Sequence, residues 1–473
     1  MNIPFEKNTV ADVLKEMHIA RAGDATIRQT VAIAEELEKI TGQKFIHLEM
    51  GSPGLPPSQI GIEAQKKALD SGVASKYPNI SGIEPLKKQA SRFIKAFLDI
   101  DVDPEGCVPT VGSMMGTFAS FIVTTHLNPE KDTILFIDPG FSVQPLQAKV
   151  LGYKRDSFDV YNYRGDKLKA KLEEHLAKGN IAAIVYSNPN NPSWVCFAEE
   201  ELQCIGELAT KYDAIVIEDL AYLGMDSRKY IGKPFEAPYQ STVARYTDNY
   251  MLMLSASKIF SYAGERVATV AISDALYKRS YPYLKETLGM DTFGRAFVYT
   301  VMYTLSSGVC HSAQCALAAM YEAACDGRFD FVTDTHEYAR RAEKLKKVFL
   351  QNGFHIVYDK DLDQDVSDGF FFTIGRKGFT GDDLLAELIH YGVSAISLRT
   401  TGSEQQGIRV CTSVIQDEDY PVLDEKLKEL RREVKLCEDI AVRSKVIEEK
   451  VGAVRAEEEK SKRKENRNYE QRR

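Results

Sequence analysis

Between about residue 110 and residue 260 the chain alternates short, almost wholly apolar runs with longer helical patterns. That alternation limits what the chain can fold into more than any other feature. The clearest runs are Thr133 to Ile137, Ala182 to Tyr186, Ala214 to Ile217 and Met251 to Ser255. A strand that is apolar at successive positions must be covered on both faces. With helices between such strands, the expected architecture is α/β, built on a mostly parallel sheet. Ligands of such sheets bind beyond the carboxyl ends of the strands. Asn191, Asp219 and Lys258 each fall just after one of the expected strands.

Lys258 sits in Ser255-Ala256-Ser257-Lys258, with Arg266 eight positions further on. A lysine amine can form an imine with an aldehyde, while a serine hydroxyl and an arginine hold a phosphate. That combination describes a site for pyridoxal 5′-phosphate, in which the protein orients the cofactor and the cofactor carries the hard chemistry. Taken alone, the segment also suits a solvated surface lysine. Its surroundings add Asn188-Pro189-Asn190-Asn191-Pro192, then Asp219-Leu220-Ala221-Tyr222, and finally Gly407-Ile408-Arg409.

With N-P-N-N-P, D-x-A-Y, S-x-S-K and G-x-R in this order, the chain resembles the class I/II aminotransferases, the fold-type I pyridoxal-phosphate enzymes, over roughly residues 25 to 430. The resemblance implies an aspartate aminotransferase-like fold. Its large domain has a mostly parallel, seven-stranded-type sheet flanked by helices, and a smaller α/β domain lies toward the C-terminus. It also implies roles for named residues. Lys258 carries the cofactor and moves the proton. Asp219 pairs with the pyridine nitrogen; a helix cap is the alternative, and the neighbouring Glu218 competes for the role. Tyr222 and Asn191 hydrogen-bond the phenolic oxygen. The backbone of Ser113 and Met114, at the start of a helix, binds the phosphate together with Ser255 and Arg266. Phe141 either stacks on the cofactor ring or is a core phenylalanine. Tyr77 reaches the phosphate of a neighbouring subunit, which requires a homodimer. Gly51, Asn191 and Arg409 meet the substrate, the arginine fork gripping its α-carboxylate. Arg399 either meets an acidic substrate side chain or pairs with an acid such as Glu404.

The chain departs from the family pattern after Pro192, where Ser193-Trp194 replaces a threonine and a glycine. Trp194 is therefore expected to narrow or reshape the pocket edge. The implied activity is transfer of an amino group between an α-amino acid and a 2-oxo acid. A pyridoxal-phosphate lyase, decarboxylase or synthase on the same scaffold is the alternative, and a non-catalytic binding module is a further one.

At 473 residues and 44% hydrophobic content the chain outgrows a single core. The expected division is an N-terminal arm and helix over 1–45, belonging to the small domain, and a large cofactor-binding domain over 46–325. The small domain follows over 326–435, then a charged helical tail over 436–473. A net charge of −8 argues against nucleic acid or an anionic membrane as partner. No apolar run approaches the roughly 20 residues that span a bilayer. No basic-then-apolar leader opens the chain, so no signal peptide is expected. The eight cysteines are scattered, with no C-x-x-C pair. They read as reduced, mostly buried thiols of a cytosolic enzyme with no bound metal, and Cys196 as a structural thiol near the site.

Overall fold

The structure is a computed structural model and describes residues 4–437. All but the first two residues of the expected tail lie outside that range. Seven strands form the main sheet: β1 (Cys107–Thr110), β2 (Thr133–Asp138), β3 (Lys154–Asp159), β4 (Ile181–Ser187), β5 (Ile215–Asp219), β6 (Tyr250–Ser255) and β7 (Ala268–Ile272). Their spatial order is β1-β7-β6-β5-β4-β2-β3. All neighbours run parallel except β7, which is antiparallel to both β1 and β6.

Side-chain alternation along these strands feeds two separate cores. Ile215 and Ile217 of β5, with Met251 and Met253 of β6, pack on one face. Val216, with Leu252 and Leu254, packs on the other. Because both cores are dry, nearly every position of the inner strands must be apolar. Edge strand β3 carries Lys154, Arg155 and Asp156, and its first two residues are exposed.

A third core holds the smaller layer together. Its strands β8 (His355–Ile356), β9 (Phe371–Gly375), β10 (Ile396–Ser397) and β11 (Ile408–Cys411) lie in the order β10-β11-β9-β8 and pair antiparallel. Helix Ile27–Thr41 packs here through Ile33, Ala34 and Leu37. A capping box between Thr26 and Gln29 starts that helix, and Gly42 in the left-handed region ends it. Residues 419–437 are helical and bury Leu423, Leu427 and Leu430 in the same core. Ile46–His47, where the sequence reading begins the large domain, pairs with Val393–Ser394, and Phe45, Ile46 and Leu48 belong to the smaller core.

Among the described residues no helix is long and apolar enough to cross a membrane. Only Cys107, Cys325 and Cys411 of the eight cysteines are buried, fewer than expected, because Cys310 and Cys437 are exposed and the other three lie on partly covered surfaces.

Candidate active site

The strand directions gather the site at one edge of the main sheet. The parallel strands end there, and β1 runs parallel to β6 because β7 lies between them reversed. Segments that follow β1, β2, β4, β5 and β6 therefore meet the segment that precedes β7. This brings together Ser113 and Met114 (after β1), Phe141 (after β2), Asn191 (after β4) and Asp219 with Tyr222 (at and after β5). Lys258 follows β6, and Arg266 arrives two residues before β7. The small sheet adds Arg409 from β11.

Lys258 lies in the single helical turn Ala256–Ile259, which Ser255 caps by accepting from the Ser257 N–H at 3.2 Å. Its ammonium donates to the Gly51 carbonyl and stands 5.4 Å from the Phe370 ring centre. Burial, reinforced by the positive charges of Arg409 and Arg266, lowers its pKa to about 8.

Asp219 and Glu218 point to opposite sides of β5, as neighbours on a strand must. Asp219 accepts from the Ala221 N–H at 3.1 Å and from Gln144 Nε2 at 3.2 Å. Burial raises its pKa to about 6, against those two donors. Glu218 is enclosed on the other face, where Thr242 Oγ1 donates at 2.5 Å, the Val243 N–H at 3.2 Å and Tyr186 at 3.3 Å. Burial raises its pKa to about 7. The two acids thus face different surroundings, Asp219 toward Gln144 and Glu218 toward Tyr186 and Thr242.

Arg409 is 2% exposed, with its guanidinium 4.5 Å from the Phe371 ring centre. Its Nη1 donates to Asn191 Oδ1 at 3.2 Å, and its Nη2 to the Glu49 carbonyl. Asn191 Nδ2 in turn donates to the Tyr222 hydroxyl at 3.3 Å. Burial pushes the Tyr222 hydroxyl pKa up, and Arg409 opposes the rise. Glu49 itself is anchored by Ser394 at 2.6 Å and His47 at 2.9 Å. Sequence patterns carry no mark of this support, because it depends on Ile46–His47 pairing with Val393–Ser394.

Three observations fit the donor set to an anionic, ring-bearing cofactor and a carboxylate substrate. Among the described residues, none of Lys258, Arg266 and Arg409 forms a salt bridge, although both arginines influence the lysine. The Arg409 Nε is buried with no hydrogen-bond partner. Arg266 lies so close to Gly112, which has φ +66°, that any side chain there would collide with the guanidinium. Arg409 is buried, Lys258 is partly buried and Arg266 is exposed; leaving a buried charge unpaired is costly, so the pair of Arg409 and Lys258 suits an anionic ligand.

Several expectations change. Trp194 is fully buried and does not stand at the pocket edge. Its backbone N–H donates to the Asn190 carbonyl at 2.9 Å, and this tight turn, at φ +65°, directs the indole behind Tyr222, ring centres 5.4 Å apart. The indole also lies against Gly369, where a Cβ would have no room. Arg399 does not pair with Glu404, because helix Gly381–His390 and the N-terminal segment come nearer. It binds Asp382 at 2.7 Å and Asp24 at 2.5 Å, while Glu404 accepts from Asn162 at 3.0 Å. Phe141 is half-buried, its carbonyl accepting from the Gln144 N–H at 3.0 Å. Tyr77 stands apart from the cluster, 93% exposed. Cys196 has a pKa pushed well up by burial, which suits an inert thiol.

The family model described as aminotransferase class I and II matches residues 43–427. An aspartate aminotransferase of Sulfolobus acidocaldarius is 26% identical over 267 residues, 55% of this chain and 63% of that protein. A probable aspartate aminotransferase of Methanocaldococcus jannaschii is 28% identical over 51% of this chain and 61% of its own length. The aligned stretch thus spans about three fifths of these relatives. Among solved structures, an alanine aminotransferase from Pyrococcus furiosus superposes with a TM-score of 0.70 at 18% identity, covering 87% of this chain and 98% of its own. A Thermus thermophilus aspartate aminotransferase double mutant gives 0.69 at 19% identity, covering 86% and 96%. At that identity the likeness concerns the fold.

Proposed function

The chain belongs to the class I and II aminotransferases, and from that membership we propose that it moves an amino group between an α-amino acid and a 2-oxo acid with pyridoxal 5′-phosphate as cofactor. The observation that carries this reading is the meeting of Lys258, Asp219 and Arg409 at one sheet edge, with Arg409 buried, Lys258 partly buried and neither cation held by a carboxylate.

When bound, the cofactor supplies the electron sink that lets a proton leave the substrate α-carbon. The chain supplies the rest. Arg266, Ser255 and the first turn of helix Gly112–Thr124 form the phosphate end. Asp219, a carboxylate above a pKa of about 6, would pair with the ring nitrogen and favour its protonated form at neutral pH. Asn191 and Tyr222 present hydrogen-bonding groups to the phenolic oxygen. Arg409 holds the α-carboxylate through a planar fork that a lysine cannot imitate. Lys258 Nζ, with a pKa near 8, has an appreciable free-amine fraction at neutral pH. It takes the α-carbon proton and later returns it. Phe370, Phe371 and Trp194 enclose one side and keep the electrostatic contacts strong by excluding water.

The active form in this reading is a homodimer, with Tyr77 extended toward the neighbouring subunit's phosphate site. Its 93% exposure on a loop supports this. The eight unpaired cysteines suit the reducing cytosol. A panel of amino acids offered with 2-oxo acids, scored for both 2-oxo acid formation and amino transfer, tests the activity. Coupled appearance of both products supports transamination. Release of carbon dioxide or an eliminated group without amino transfer refutes it in favour of a decarboxylase or lyase.

A further inference from the structure

Helix Val143–Val150 has its polarity reversed. It buries Gln144 and Gln147, at 5% and 8% exposure, and leaves Leu146 and Val150 at 51% and 71%. A helix packed only to fill a core would do the opposite. Burying an amide is unfavourable unless its hydrogen bonds are satisfied. Both amides are satisfied, and both by parts of the candidate site. Gln144 Nε2 donates to Asp219 Oδ2 at 3.2 Å. Gln147 Nε2 donates to the Met114 carbonyl at 2.7 Å, and its Oε1 accepts from Thr117 Oγ1 at 2.8 Å. One turn of one helix thus reaches both the ring-nitrogen end and the phosphate end.

We propose that helix Val143–Val150 is a positioning element, Gln144 fixing the Asp219 carboxylate and Gln147 fixing the first turn of helix Gly112–Thr124. The inference rests on the cofactor reading above. An amide suits the task at Asp219. It donates without titrating, so it orients the carboxylate and does not compete for its proton. Together with the Ala221 N–H on Oδ1, it engages each carboxylate oxygen once. No cation forms a salt bridge with Asp219 among the described residues, so the carboxylate keeps its charge for the ring nitrogen. At the other end, Gln147 and Thr117 both bind within the first helical turn, where the N–H groups are free for an anion.

The test uses full-length apoprotein reconstituted with pyridoxal 5′-phosphate or with pyridoxal, which lacks the phosphate. Gln147→Leu is expected to weaken pyridoxal 5′-phosphate about tenfold and pyridoxal by less than about twofold, because one hydrogen bond at the phosphate end is lost. Gln144→Leu is expected to weaken both cofactors alike. It should also lower the protonated share of a nitrogen-15-labelled ring nitrogen, read by its chemical shift. The Gln147→Met and Gln144→Met variants, similar in length, uncharged and unable to donate, serve if the leucines misfold, and the same directions are expected. Variants that match the wild type in cofactor ratio and nitrogen shift overturn the proposal. So do variants that lose thermal stability while the ratio and the shift stay unchanged, since that is a packing role alone. A wild-type protein that fails to bind pyridoxal 5′-phosphate, or binds it on another lysine, refutes the underlying reading instead.

Discussion

Lys258 and Arg409 place like charges in one buried space, and the consequence is a titration that can be moved. Only the free amine captures an aldehyde. The rate of cofactor uptake by apoprotein should therefore rise with pH and level off above about 8, the pKa of Lys258. Removing a positive neighbour raises that pKa, so Arg409→Ala should shift the midpoint upward. Stopped-flow absorbance of cofactor binding measures both, and borohydride should then fix the label on the peptide carrying Lys258. A midpoint that stays near the ordinary lysine value, or a label elsewhere, contradicts the assignment. Asp219 and Glu218 allow a sharper comparison. Asp219→Ala should lower kcat by at least about a hundredfold, because a charge aimed at the reacting system is lost. Glu218→Gln should leave kcat within about threefold but change stability against pH. The folded pKa of Glu218 is about 7 against 4.5 as the ordinary value, so the folded state binds the proton more tightly. Its contribution is full below pH 4.5 and declines as pH rises to about 7, by on the order of 3 kcal/mol. Denaturant titrations of wild type and Glu218→Gln should differ in slope against pH only in that window. A milder loss from Asp219→Ala than from Glu218→Gln would put the strand register in error.

At the scale of elements, the turn after β1 depends on Gly112. Its positive φ disfavours any side chain, and the Arg266 guanidinium fills the space a Cβ would need. Gly112→Ala should displace both the helix start and the arginine, weakening the cofactor about tenfold or more, roughly one charged hydrogen bond. Equilibrium binding to apoprotein checks this, and unchanged affinity would remove Arg266 from the phosphate end. The same scale shows which parts of the fold could be read in advance. Strands β2, β4, β5 and β6 were legible because inner strands between two dry cores are apolar at nearly every position. Edge strand β3, with Lys154-Arg155-Asp156, was not, since one exposed edge permits charge. The motif residues after β4, β5 and β6 were legible because their order and spacing along the chain are local. Arg399 pairs with acids, as one alternative held, but not with Glu404, because its partners Asp24 and Asp382 are distant in sequence and meet only in the folded small domain. Gln144 and Gln147 were invisible for a related reason: a glutamine on a short helix signals nothing until the helix is docked. Trp194 was seen as unusual, but its direction depends on the left-handed turn that buries it against Gly369.

For the whole molecule, the pattern of exposed aromatic residues argues for a second copy. Tyr77 extends from the loop after the turn Val73–Ser75, and Pro78 beside it packs 3.4 Å from the position a Gly308 side chain would take. Tyr299 and Tyr303, one helical turn apart and just before Gly308, are exposed as well. Exposed aromatic rings of this kind suit an association surface. If Tyr77 completes the phosphate site of a partner, a site needs Lys258 from one chain and Tyr77 from the other. Mixing Lys258→Ala with Tyr77→Ala protein gives hybrids in which one of the two sites has both residues intact. With equal amounts and random exchange, half of the dimers are hybrid, so about a quarter of wild-type activity should return. Differently tagged chains establish that exchange occurred, and sedimentation gives the oligomeric state. Tyr77→Ala protein that is fully active on its own, no recovery after demonstrated exchange, or an active monomer would each exclude a shared site. The recovered fraction discriminates further, because complementation by simple refolding of mixed aggregates has no reason to settle near a quarter or to vary with mixing ratio as a product of the two chain fractions.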